Sequence, residues 1–134
     1  MYWDCEADQV FVSAPSATKL ALWSRKTLLR CVASCFDPLG LTAPILIRGK
    51  ILLQQAWKEG GGWNTPLGDE LSRAAEEWWG EVETIEQLKY ERWLKATPGE
   101  SYSLHAFADA SEVAYGACVY LVSAGQSALI YVKA

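Results

Sequence analysis

From Tyr102 onward the chain changes period. "YSLHAFAD", "YGACVYLVS" and "SALIYVKA" are short runs rich in aromatic, β-branched and small apolar residues, separated only by "ASEVA" and "AGQ". Three consecutive strand-like runs with connectors this short fold as an antiparallel meander. Such a meander has bare edges and needs its faces covered. Either the segments before it do this or the covering element lies elsewhere, so the chain is expected to stop inside a domain.

Before the breaker "ATPGES" the pattern is helical, with one exception at the start. "YWDCEADQVFV", residues 2–12, reads as two β-prone runs around a short "EAD" loop, a hairpin. "SAPSATK" is a connector. Ser24 then caps a helix expected to run to about Phe36, with Leu28, Val32 and Cys35, and Leu29 and Phe36, at helical spacings. "DPLG" stops it, because Pro38 disfavours helical geometry at Asp37 and Gly40 permits a turn. Pro44 suits the first turn of a second helix, "PILIRGKILLQQAWK", with Ile47, Ile51, Leu52 and Gln55 in phase. After "EGGGWNTP" a third helix is expected from about Asp69 to Leu88, burying Leu71, Ala74, Ala75, Trp78, Trp79, Val82 and Ile85 beneath an acidic outer face. The expected class is therefore α+β: a short N-terminal hairpin (residues 1–13), a three-helix region (14–100) and a three-stranded meander (101–134).

A hydrophobic content of 51% with 21% charged residues in 134 residues fits one packed domain rather than a disordered chain. No run of about 18 apolar residues and no signal peptide is seen, so no membrane partner and an intracellular location, cytoplasmic or nuclear, are expected. Cys5, Cys31, Cys35 and Cys118 show no C-x-x-C pair, which argues against a disulfide framework. Cys31 and Cys35, one turn apart, could join a metal site but read more simply as small core residues. Charge is segmental: residues 14–58 carry seven bases against Asp37 alone, and residues 59–100 carry ten acids against four bases. A basic block can hold a phosphate backbone even in a chain of net charge −4; a solvated helix face is the plainer alternative.

Asp109 is the residue most in need of explanation, a carboxylate ending an apolar strand. It can begin an Asp-x-Ser turn, accepting backbone N–H groups, or it can hold a divalent cation at a position fixed by the sheet. His105 shares its face, but four strand residues separate them by about 13 Å, too far to pair. Trp78 and Trp79 could stack on bases, though their spacing with Leu71, Ala75 and Val82 suits a core.

"FADASEVAYGACVYL" resembles the opening of a ribonuclease H domain, with an Asp on the first strand, a small-residue loop and a "YGA" step. "CVASCFDPLGLTAPILIRGKILLQQAW", followed by "GWNTPLGDEL", resembles more specifically the segment joining reverse transcriptase to ribonuclease H in Bel/Pao-type retrotransposon Pol polyproteins, the Pao peptidase family region. "YWDCEADQVFV" is similar to the hairpin ending the polymerase palm. The resemblance implies a palm end at 1–13, a thumb and connection at 14–100, and the start of a ribonuclease H-like domain at 101–134. It implies Asp109 as the first carboxylate holding Mg²⁺, and Gly116 as a point of close approach to an RNA/DNA hybrid. It implies Arg25, Lys26, Arg30, Arg48 and Lys50 as phosphate contacts to template and primer, with Tyr115 and Ser111 beside the groove and no role assigned. It also implies the remaining Pol segments as partners.

Several departures limit the activity expected. No Asp-Asp pair of a Y-x-D-D motif occurs, and after Asp109 the one further acid is Glu112. Two-metal hydrolysis needs several carboxylates, so the chain alone is expected to be inactive although its parent would copy RNA into DNA and degrade the RNA. An aspartic peptidase needs a D-T-G or D-S-G turn, and "DAS" lacks the glycine. The alternative is a retroelement-derived remnant acting as a non-catalytic interaction module, or without function.

Overall fold

A computed structural model describes residues 1–14, 22–94, 96–123 and 125–134. Most of the "SAPSATK" connector, with Lys19, lies outside the described residues, as do Lys95 and Ala124 of the "AGQ" turn. Strands β1 (Tyr2–Asp4) and β2 (Gln9–Phe11) form the expected hairpin, with Tyr2 opposite Phe11 and Asp4 opposite Gln9. The Asp4 carboxylate holds the loop by accepting the amides of Glu6 and Ala7, each at 3.1 Å.

Helix α1 (Arg25–Ser34) starts at a reciprocal cap: the Thr27 amide donates to Ser24 Oγ at 3.2 Å and the Ser24 amide to Thr27 Oγ1 at 2.6 Å. It ends two residues before Phe36, which is 70% exposed. "DPLG" does more than stop this helix. The Asp37 carboxylate accepts the amides of Leu41 (3.0 Å) and Thr42 (2.7 Å) and the Thr42 hydroxyl (2.7 Å), fixing the approach to α2 (Ala43–Lys58).

The buried face of α2 differs from the expected stripe. Ala43, Leu46, Gly49 and Ala56 are inside, whereas Gln55 is exposed and Ile47, Ile51 and Leu52 are half-buried. Closest approach occurs at the small residues: a Cβ on Gly49 would stand 2.2 Å from the Trp78 ring, and Trp78 Nε1 donates to the Ile45 carbonyl at 2.9 Å. Helix α3 (Asp69–Val82) buries Leu71, Ala75, Trp78 and Val82 as its period requires. It stops at Val82 rather than near Leu88. A 3₁₀ turn over Ile85–Gln87 keeps Ile85 buried, and Lys89–Glu91 form strand β3, which pairs with β2. Residues near 90 thus complete the N-terminal sheet, a pairing that short runs far apart in sequence do not announce.

The core lies among the helices and this small sheet, and joins Val12, Trp23, Leu28, Cys31, Leu46, Ala56, Trp78 and Ile85. Strands β4 (Ser103–Ala110), β5 (Tyr115–Ser123) and β6 (Gln126–Lys133) form the meander, in that order. Val119 pairs with Tyr131 and Tyr120 with Leu129, so Ile130 is the extra residue of a bulge. None of the described meander residues is buried, and β4 is exposed along its whole length. The helical layer meets the meander along β6, where the Val132 amide donates to the Leu39 carbonyl at 2.8 Å.

Candidate functional site: the Asp109 strand end and the basic helices

Asp109 is opposite Gly116 across β4 and β5, and strand alternation puts it on one face with His105 and Phe107 of β4 and Cys118 and Tyr120 of β5. Its Oδ1 accepts the Ala110 amide at 2.8 Å. The loop is held by its neighbour: Ser111 Oγ takes the amides of Val113 (3.4 Å) and Ala114 (3.3 Å), and the Ser111 amide donates to the Ala114 carbonyl at 2.8 Å. Asp109 is thus an exposed carboxylate doing little of the turn's work. A Cβ on Gly116 would meet nothing within 4 Å, so packing does not require glycine there. Tyr115 is 58% exposed on the opposite face.

This face overlooks an open cleft of about 490 Å³, closed on the far side by Leu41, Pro44 and Tyr90. Tyr90 is fixed there by donating its hydroxyl to the Leu41 carbonyl at 2.9 Å, and burial, with Asp37 nearby, raises its pKa. His105 Nε2 lies 3.1 Å from Ser103 Oγ, so the histidine is engaged along its own strand. Among the described residues no three His, Cys, Asp or Glu side chains converge as metal ligands. One carboxylate does not make a two-metal centre, and the residues present do not fit a Mg²⁺ pair.

The basic residues do not form one row. Arg25 is turned inside, 3% exposed, with Nε donating to the Ala56 carbonyl at 2.9 Å and the other nitrogens to the carbonyls of Gly60 and Gly61. In this arrangement it is a clamp on the end of α2, not a phosphate contact. Arg48 pairs with Glu81 of α3, and Lys50 Nζ donates to the Ala134 carbonyl at 2.5 Å. Lys26 and Arg30 stand one turn apart on the exposed side of α1. Charge alone could not separate Arg25 from Lys26; the Gly-rich loop supplying bare carbonyls was the available signal.

Trp78 is fully buried, so the core reading holds for it; Trp79 is half-buried. Burial pushes the Cys31 thiol up to about 11 and raises Cys35 as well, as befits core residues. No helix among the described residues is long and apolar enough to cross a membrane.

Among the described residues, three α-helices and two antiparallel three-stranded sheets make the chain α+β, an arrangement consistent with a ribonuclease H-like domain. The family profile described as Pao retrotransposon-like RNaseH-like domain matches residues 24–133, and the chain belongs to that family, the ribonuclease H region of Bel/Pao retrotransposon Pol. The match runs across the boundary expected near residue 100 and begins after the hairpin. No curated protein and no solved structure matches the chain.

Proposed function

We propose that the chain is a segment of a Bel/Pao-type Pol polyprotein that contacts template–primer or RNA/DNA hybrid without cutting it. In this reading residues 1–13 end the polymerase palm, 14–100 form thumb and connection, and 101–134 open the ribonuclease H-like domain. Asp109 is the first metal-binding carboxylate of the complete domain, and other Pol segments supply the rest and cover the meander. The observation carrying this reading is a solvent-open apolar sheet presenting a single carboxylate, within a chain of the Pao family.

Nucleic-acid contact falls to Lys26, Arg30 and Lys50, with Arg48 partly neutralised by Glu81. The logarithm of hybrid affinity should fall with the logarithm of salt, and each lysine or arginine that touches phosphate should reduce that slope by about 0.9 when changed to Ala. An unchanged slope in Lys26→Ala/Arg30→Ala/Lys50→Ala removes the contact. The intact chain should leave a hybrid uncut in Mg²⁺; cleavage would overturn the incomplete-site reading.

A second reading, a non-catalytic interaction module derived from a retroelement, is favoured by the same open meander, where Leu104 is 68%, Phe107 59% and Tyr115 58% exposed. It predicts that variants at Leu104 and Phe107 abolish capture of a protein partner while hybrid binding is absent throughout.

A further inference from the structure

Trp57 and Trp63 are large apolar side chains that the fold holds firmly yet leaves in solvent. Trp57, near the end of α2, is 56% exposed, and Trp63, in the loop after it, is 41% exposed. Their ring centroids are 5.8 Å apart with the planes tilted by 38°. The support beneath them is polar and rigid: the Arg25 guanidinium lies 4.6 Å from the Trp57 ring centroid while donating to the carbonyls of Ala56, Gly60 and Gly61. Trp63 is tied to α1 through its carbonyl, which accepts the Lys26 amide at 3.3 Å. An exposed aromatic pair fixed in this way loses little freedom on binding, and it is not needed to fill the core.

The charge around the pair selects the occupant. Lys58 follows Trp57 at the end of α2, Lys26 is the residue whose amide bonds the Trp63 carbonyl, both lysines are exposed, and Arg30 follows one turn along α1. The one acid in the neighbouring sequence, Glu59, has its carboxylate against Gly68 at the start of α3. Aromatic faces take any base, and lysines beside them suit the phosphates that link bases.

We propose that Trp57 and Trp63, together with the exposed Lys26 and Lys58, form a stacking platform for unpaired bases at a single-stranded end of the nucleic acid. This rests on the nucleic-acid reading above and adds to it a preference for a strand end over a continuous duplex.

The test compares a blunt RNA/DNA hybrid with the same hybrid carrying an overhang of about six nucleotides, by fluorescence anisotropy with the full chain. The overhang should tighten binding by roughly five- to a hundred-fold, and Trp57→Leu and Trp63→Leu should each lose most of that increment while leaving blunt-hybrid binding and its salt slope unchanged. Equal affinity for both substrates, or an increment that survives both substitutions, overturns the platform and leaves the duplex contact standing. Failure to bind either substrate overturns both readings. Trp57-dependent binding of a proline-rich peptide without any overhang increment assigns the pair to a protein partner and also overturns the proposal. Because leucine at position 57 removes the ring over Arg25, the unaltered chain gives an independent readout: 5-iodouracil in the overhang should photocrosslink within residues 57–63, and crosslinks confined elsewhere sink the assignment.

Discussion

Arg25 opens α1 with its guanidinium turned inward, so its removal strands three backbone carbonyls at the end of α2 and loosens Trp57. Hydrogen bonds from a charged donor contribute about 1.5–3 kcal/mol each, and a buried group left without its partner costs more than the net bond. Arg25→Met should therefore lower stability by about 3 kcal/mol or more in urea denaturation, whereas exposed Lys26→Met should stay within about 0.5 kcal/mol. A second residue-scale device is the exposed cluster around Asp8. Asp8 sits at φ 52°, its carboxylate accepts from Arg92 Nε at 2.5 Å and from Trp3 Nε1 at 3.0 Å, and the Arg92 guanidinium lies over the Trp3 ring. The hydrogen bond from Arg92 holds the Asp8 carboxyl below its ordinary value. A lowered folded value means that any stabilisation is present above the ordinary carboxylate range and is lost as pH falls through the lowered value. NMR titration should place Asp8 below an unpaired aspartate, and Arg92→Gln should move it back upward.

At the scale of elements, the junction between α1 and α2 also joins the helices to the meander. Gly40 has φ +73°, and a Cβ there would fall 1.9 Å from the Val132 carbonyl oxygen, beside the Val132–Leu39 hydrogen bond. Backbone atoms cannot swing aside as a flexible side chain can, and left-handed φ disfavours any Cβ. Gly40→Ala should open this seam: β6 amides should exchange faster with solvent while the Trp78 core keeps its near-UV circular dichroism. Gly116→Ala is the contrasting case. Open space around Gly116 should make that change nearly neutral for stability, and a measured loss confined to hybrid binding would locate the close approach there.

Across the whole molecule, burial is unequal. Every buried side chain of the described residues lies between Val12 and Ile85, on the helices and the segments that join them, while the meander is held by its own ladders and by the seam at β6. Hydrogen bonds at a solvent-open sheet, without apolar burial behind them, open at low cost. Native-state hydrogen exchange should therefore show β4 amides much less protected than those of α3 around Trp78. Equal protection in the isolated chain would mean that the meander needs no cover, and would weaken the proposal that other Pol segments supply it.

Local chemistry settled much of this in the sequence. The meander follows from short alternating runs with connectors of a few residues, the cap of α1 from Ser24, and the start of α2 from "DPLG" and Pro44, because each depends on neighbours within a few positions. Asp109 was legible as an odd carboxylate in an apolar strand, and its exposed place at the strand end follows from the same alternation. What depended on distant partners was not legible. The 89–91 strand exists because β2 offers it an edge, the buried face of α2 is chosen by where Trp78 can approach Gly49, and the division between Arg25 and Lys26 is made by carbonyls some thirty residues away. Sequence period fixes which residues share a face, but only the packed chain decides which face is turned inward and which charge finds a partner there.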